Sequence, residues 1–494
     1  MNAYEPWVLE WLNKQRRSGI KGLEIKYLNN NYYVYKSTSY WDKSLRKIRK
    51  KSTYIGRLDK EKGLIESSQK YRSKVYPKSV KTYGDAMLLN IAMKDLIPLL
   101  KENFEFWEDI YALALVRIYG YVPLKRAKLR WEKLYNPFKI NPNLEPKHLS
   151  EVLRMIGSDK ISQNNIFRSL LTGSKNFAYD ISAIVTRSSI NISDIGYNKE
   201  MAYIPQIELI LISSTDSKLP AMVRIVPGSI RDVETLRTSV EDIGIEKITF
   251  ILDRGIFSED NVKELYRRNI SFVIPTRRNS FLYDKIKKTM NEHFFYKERL
   301  IKCSKKRWSV FYLYLYEDNE LKNEEEKAIY SEYDEKRIEY DEFKERLEKA
   351  GRILIISNLN KDCKEIFEMY KSRDIVEKHF DTVKNMLKAD ILYLRDDYSV
   401  FGHIFVAFLS LYGYCKIENM LRERSLLDKI SPMDVLERFS TVYIIEDENR
   451  KIITEVSKKV RELDEKLGTN IFPKNRSKGF NFLRKFFISN GKDI

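Results

Sequence analysis

The chain has 494 residues, too many for a single hydrophobic core, and length alone divides it into roughly two to four domains. A formal net charge of +19 points to polyanionic partners, nucleic acid first and a membrane surface second. Hydrophobic residues at 43%, with 32 Tyr and 24 Phe, exclude a disordered chain.

Cys303, Cys363 and Cys415 are far apart, odd in number and in no CxxC spacing, so neither a disulfide framework nor a zinc site is expected. A reducing cytoplasmic setting fits this usage. Met1 to Trp7 does not read as a signal peptide. The longest uncharged stretch, Tyr398 to Cys415, contains His403, two serines and two glycines, and reads as a buried core helix with no membrane partner.

Residues 1–83 hold 20 Lys and Arg against 7 Asp and Glu, so most of the positive excess lies in this basic α+β region. Tyr32 to Lys36 and Ser52 to Gly56 read as short strands bracketing Lys43, Arg46, Lys47, Arg49, Lys50 and Lys51. Cations with aromatic residues beside them suit phosphate contact with base or sugar packing, which makes this cluster the candidate N-terminal DNA-binding site. A merely solvated basic face is the alternative. Residues 84–172 turn helical, with apolar residues at three- and four-residue spacing from Met87 to Met93 and from Ala112 to Ile118, and a Pro-rich break from Asn136 to Pro146.

At Phe177 the period changes to two. Strands are predicted over 177–185, 206–213 and 221–226, then a helix from Asp232 to about Asp242, a strand over 247–252, a helix from Ser258 to Arg268 and a strand over 271–275. The order β-β-β-α-β-α-β over 177–275 is that of an α/β core of the ribonuclease-H-like class. Residues 276–351 interrupt it with two predicted strands, His293 to Cys303 and Trp308 to Tyr316, and a highly charged helical segment from Glu317 to Lys349. The core resumes over 352–425 with the strand 352–356, and 426–494 reads as a helical C-terminal region, basic from Lys474 to Lys485.

Asp362 followed by Glu365 is a capping-box pattern, and neither Pro nor Gly interrupts the next two dozen residues, so a helix is predicted there. At about 100° per residue, Tyr370, Arg373, Glu377 and Lys384 fall on one narrow face, at roughly 0°, 300°, 340° and 320°. Arg373 and Glu377 also have the spacing of an ordinary i,i+4 ion pair. Asp180 lies inside an otherwise apolar or small strand, where an unpaired charge is costly, and Asp253 ends a strand just before Gly255. The first and fourth strands of this topology are neighbours and a late helix packs across them, so Asp180, Asp253 and Glu377 can converge.

Converging carboxylates need cations. Oxygen-only ligands select Mg²⁺ or Mn²⁺, and two such ions about 3.5–4 Å apart support in-line phosphodiester displacement. Arg373 and Lys384 suit flanking phosphates, and Tyr370 suits a phosphate hydrogen bond or base stacking. His148, His293, His379 and His403 show no ligand spacing, and none is assigned to a metal.

On these residues the chain resembles a DDE-type insertion-sequence transposase, of the branch with the signature Y-x2-R-x3-E-x6-K, complete here as Tyr370, Arg373, Glu377 and Lys384. Asp253 to Ser258 and Tyr179 to Ser182 resemble the segments around that family's two aspartates. Gly196 to Lys199 and Pro227 to Asp232 are also similar, with Ser229 where Asn is commoner. The resemblance covers about 177–425. It implies that Asp180, Asp253 and Glu377 are the catalytic and metal-binding triad, with an insertion expected before the Glu. It implies 3′-nicking at terminal inverted repeats, typically with a hairpin, then strand transfer into target double-stranded DNA by a homodimer on paired ends, in a prokaryotic nucleoid. A domesticated DNA-binding protein and a ribonuclease-H-fold nuclease are the other readings.

Overall fold

The computed structural model describes residues 4–42, 47–66, 77–185, 194–197, 203–227, 248–286, 289–388, 394, 396–446 and 451–473. The expected helix from Asp232 to Asp242, most of the Pro227 to Asp232 segment, Lys43, Arg46 and the basic stretch from Lys474 fall outside them. The chain forms two compact units, one of residues 1–79 with 446–450 and one of 80–445 with 451–494.

In the first unit the helix Pro6–Arg17 starts on a proline, which suits a first helical position, and buries Val8 and Leu12. It covers an antiparallel sheet of β1 (Leu23–Leu28), β2 (Asn31–Asp42), β3 (Lys47–Asp59) and β4 (Gly63–Glu66), in that order. Asn29 and Asn30 both take positive φ, 48° and 59°, as the two-residue turn between β1 and β2 requires. Ile25, Tyr32, Val34 and Leu58 complete this small core.

The two short strands expected here are long. After a register shift at Val34/Tyr35, β2 and β3 continue as a two-stranded ribbon past the core. Lys47, Arg49, Lys50 and Lys51 therefore stand on β3, not on a connection between strands. Cross-strand pairing puts Thr38 opposite Lys51 and Tyr40 opposite Arg49 on one face, with Ser39 opposite Lys50 and Trp41 opposite Ile48 on the other. Trp41 and Ile48 are 59% and 72% exposed.

The second unit is built on a sheet that is ten-stranded among the described residues. Its centre is β6 (Asn176–Val185). To one side lie β8 (Tyr203–Ser214), antiparallel to β6, then β7 (Asp194–Tyr197) and β9 (Pro220–Pro227), both paired with β8. To the other side β10 (Thr249–Ile251) and β11 (Ser271–Pro275) run parallel to β6. The sheet then continues through β15 (Arg352–Ser357), β14 (Phe311–Asp318), β13 (Arg299–Trp308) and the edge strand β12 (Glu292–Tyr296). A smaller sheet joins β5 (Ser79–Thr82), β16 (Tyr443–Glu446) and β17 (Lys451–Ile453).

Residues 276–351 thus extend the main sheet. The strand expected from His293 to Cys303 is a hairpin: Lys297 and Glu298 turn at φ 46° and 68°, splitting it into β12 and β13. Hydrophobicity is high on both sides of that turn, so it carries no Gly, Pro or Asn signal. The charged segment after β14 forms the helices Asn319–Asp334 and Tyr340–Lys349.

Alternation along the central strands divides their side chains between two cores. Phe250, Phe272, Ile274, Leu354 and Ile356 enter the main core, while Ile251, Val273 and Ile355 enter a second one with Tyr314, Tyr316, Ile366 and Phe367. The helical residues 84–171 do not close a core of their own. Helices Gly84–Met93, Trp107–Arg117 and Pro146–Ser158 pack round the 27-residue helix Asp397–Glu423, which also lies on β9. That helix is long and apolar enough to cross a membrane, yet 89% of its most apolar window is buried inside the protein.

Candidate active site

Asp180 sits in β6 facing Leu211 of β8. On its other side, β10 pairs Thr249, Phe250 and Ile251 with Asn176, Phe177 and Ala178 in parallel. Carrying that register two residues further puts Asp253, just past the end of β10, level with Asp180 in the middle of β6, and the two strands run the same way. There β10 stops: the Asp253 carboxylate accepts a hydrogen bond from the Gly255 amide at 3.3 Å and caps the short helix Arg254–Ile256.

Glu377 arrives from the other end of the unit's sequence. The expected capping box is present, with Asp362 and Glu365 bonding reciprocally at the start of the helix Cys363–Lys371. The helix does not run on unbroken as expected. It stops at Ser372, whose hydroxyl donates to the Met369 carbonyl at 2.6 Å, and restarts as Asp374–Asp381. It then widens into one π turn, Thr382–Met386, closed by the Leu387 amide on the Thr382 carbonyl at 2.9 Å.

Ile375, Val376, His379 and Phe380 bury the short middle helix against β6 and β8. His379 fixes it further by a 2.7 Å hydrogen bond between Nδ1 and the Ser213 hydroxyl. Burial, with the cationic Arg422 and Lys378 nearby, pulls the His379 imidazole down to about 3, so it is neutral there. His379 thus has a packing role, pinning this helix to β8. Sequence spacing could not have found it, because Ser213 lies on another strand.

The result is a convergence on Arg373. One guanidinium nitrogen is 3.6 Å from Asp180 Oδ2, another is 3.6 Å from Asp253 Oδ1, and the latter is also in direct contact with Glu377 Oε1. Arg373 is 12% exposed, Asp180 25%, Asp253 41% and Glu377 54%. Burial by itself disfavours the Arg373 charge, but the three carboxylates outweigh it and its pKa is raised. The Asp180 carboxyl is raised too, by burial first and by Asp253 and Glu377, with Arg373 acting the other way. Three negative groups here are held by one cation, and an all-oxygen donor set around a positive charge fits a hard divalent ion.

Tyr370, half-buried, is raised by burial and lies in the fields of Arg373, Asp253 and Arg254. The 100° projection does not carry through to Lys384. From within the π turn its ammonium donates to the Ser182 hydroxyl at 2.7 Å and the Ala183 carbonyl at 2.9 Å, latching the chain to β6 just past Asp180. The broken helix and the π turn are the reason, since a projection at 100° per residue holds only along one regular helix.

Arg373→Ala should destabilise the metal-free protein by about 1–2 kcal/mol. The cost stays below the about 3–5 kcal/mol of a fully buried pair because two of the three carboxylates are more than one-third exposed. Thermal melts in EDTA and in Mg²⁺ check this: the variant should regain more stability from the ion than wild type does.

Residues 177–412 match the family model of the transposase DDE domain, a segment that holds Asp180, Asp253, Tyr370, Arg373, Glu377 and Lys384. Among solved structures the chain is similar to the cryo-EM structure of a piggyBac transposase synaptic complex with hairpin DNA. The identity is 8% and the TM-score 0.40, over 83% of this chain and 86% of that one. No curated protein matches the chain.

Proposed function

We propose that this protein is a DNA transposase of the insertion-sequence type, with a ribonuclease-H-like core, that binds terminal inverted repeats and carries out metal-dependent 3′-end cleavage and strand transfer. The observation that carries the reading is the convergence of Asp180, Asp253 and Glu377, nearly two hundred residues apart in sequence, on a single guanidinium. A structural ion pair needs one carboxylate; three on one cation are costly unless they serve a site.

Asp180, Asp253 and Glu377 would hold the divalent cations, Mg²⁺ or Mn²⁺, two in number. When bound, these ions supply activation of the attacking oxygen and stabilisation of the leaving one. Arg373, displaced from the carboxylates, is then free to fork onto a flanking phosphate, while Lys384 keeps the end of β6 in place and offers a positive charge nearby. Tyr370, one turn before Arg373, would donate to a phosphate oxygen or stack on a base. His379, Val376 and Phe380 hold the Glu377 helix against the sheet.

The N-terminal unit supplies the duplex contact in this reading. The β2–β3 ribbon has the width of a two-stranded element that the major groove admits. Its two faces differ, with Lys47, Arg49 and Lys51 beside Tyr40 on one and Trp41 and Ile48 on the other. Action as a homodimer on paired ends belongs to the same proposal.

The test is cleavage of a labelled duplex carrying the inverted repeat that flanks the gene, by the full chain in Mg²⁺ and in EDTA. Nicking at the repeat boundary in Mg²⁺ alone is the expected result. Tight repeat binding with no cleavage in Mg²⁺ or Mn²⁺ would leave a DNA-binding protein, and cleavage indifferent to the repeat would leave a nuclease.

A further inference from the structure

A second cluster of ligand-type side chains lies toward the β12 edge of the sheet, in chemistry unlike that of the carboxylates. Cys303 is in β13, and Glu292 stands directly across from it on the edge strand β12. Cys363 is the first residue of the helix Cys363–Lys371. One ligand atom from each of the three lies within 4.8 Å of the other two. Both thiols are buried and unoxidised, and Glu292 is exposed.

Tetrahedral zinc with Zn–S bonds of about 2.3 Å and Zn–O of about 2.0 Å separates two sulfurs by about 3.8 Å and a sulfur from an oxygen by about 3.5 Å. The three groups are therefore already near ligand spacing. The backbone around them is held: the Tyr316 hydroxyl donates to the Cys363 carbonyl at 2.7 Å, and Phe294 packs edge-to-face on both Tyr316 and Phe367 in the same core as the thiols.

We propose that Glu292, Cys303 and Cys363 bind one divalent ion of the zinc class, with solvent as fourth ligand on the Glu292 side. Two thiolates select a borderline-soft ion, whereas the oxygen-only set of Asp180, Asp253 and Glu377 suits a hard one, so the chain sorts two metals by ligand chemistry. Binding releases both thiol protons. The ion ties the edge hairpin β12–β13 to the start of the helix whose last turn carries Tyr370, with Arg373 and Glu377 following. The two thiols are 60 positions apart in sequence and on no common element, which is why their spacing gave no signal.

The experiment is metal analysis of the full-length protein, purified with reductant, loaded with Zn²⁺ and passed through a chelating resin. Wild type should retain one zinc per chain, Cys303→Ser none. In Glu292→Gln, an exposed change that leaves the fold intact, zinc affinity should fall by more than the about 10- to 100-fold that loss of an outer-shell partner costs. Loading with Co²⁺ should give thiolate charge-transfer absorption that survives Glu377→Gln, which separates this site from the proposed active site. Zinc in wild type no higher than in Cys303→Ser would overturn the proposal. So would an intact mass two hydrogens light with unreactive thiols, the mark of a disulfide.

Discussion

Glu377→Gln is expected to reduce nicking at the repeat end by about 10³-fold or more, the scale on which single members of a catalytic constellation act. Affinity for the repeat should be unchanged. The amide keeps the shape of the side chain and removes its charge, so on the proposed function a divalent ion would lose one of its anionic ligands while the fold loses almost nothing. Glu377 is 54% exposed, and exposed substitutions away from caps and cores usually fall within about 0.5 kcal/mol. Single-turnover cleavage and gel-shift titration on the same duplex measure the two quantities. A parallel loss of binding would move Glu377 from the chemistry to DNA docking.

Gly402→Ala is expected to cost about 3 kcal/mol or more, and Gly402→Val to prevent folding of the second unit, because the added atoms meet backbone. A Cβ on Gly402 would run into the Leu153 carbonyl group, 2.7 Å from its carbon, and one on Gly157 into the Tyr398 carbonyl group, 2.6 Å from its carbon. These two glycines let helices Pro146–Ser158 and Asp397–Glu423 cross at backbone contact, and neither helix can give way without disturbing the layers around it. Gly63→Ala makes the contrast. Nothing lies within 4 Å of that Cβ, so only its positive φ of 69° is penalised, at about 1–2 kcal/mol. Melts followed by circular dichroism compare the three, and equal losses at Gly402 and Gly63 would refute the crossing argument. For a domain of about 5–15 kcal/mol total stability the Gly402 change removes a large share.

Local chemistry made several elements legible from the sequence. Alternation from Phe177 to Val185 marks β6, the apolar run before Asp253 marks β10, and Asp362 with Glu365 marks the start of the helix toward Glu377. The carboxylates were legible for a related reason. A charge inside an apolar strand, or at its end before a glycine, stands out against its neighbours whatever the distant partners are. What misled was regularity assumed where none is enforced. Without Pro or Gly the stretch from Cys363 to Leu387 reads as one helix, yet a serine bonding back to its own turn and one π turn redirect it, and Lys384 with it. The turn at Lys297 and Glu298 likewise has no turn residue to betray it, and the ribbon of β2 and β3 is longer than its aromatic segments alone suggest.

The sequence by itself marked out the candidate carboxylates and most of the strands and helices that bear them, because polar residues in apolar surroundings and short-period patterns are local properties. Tertiary structure alone decided three things. Arg373 is the cation among the carboxylates. The helices of residues 84–171 take their centre from residues 397–423. Cys303 and Cys363, with no spacing in common, meet beside Glu292. Each joins segments remote in the chain, and no periodicity records a contact whose partners are set by how sheets and helices stack.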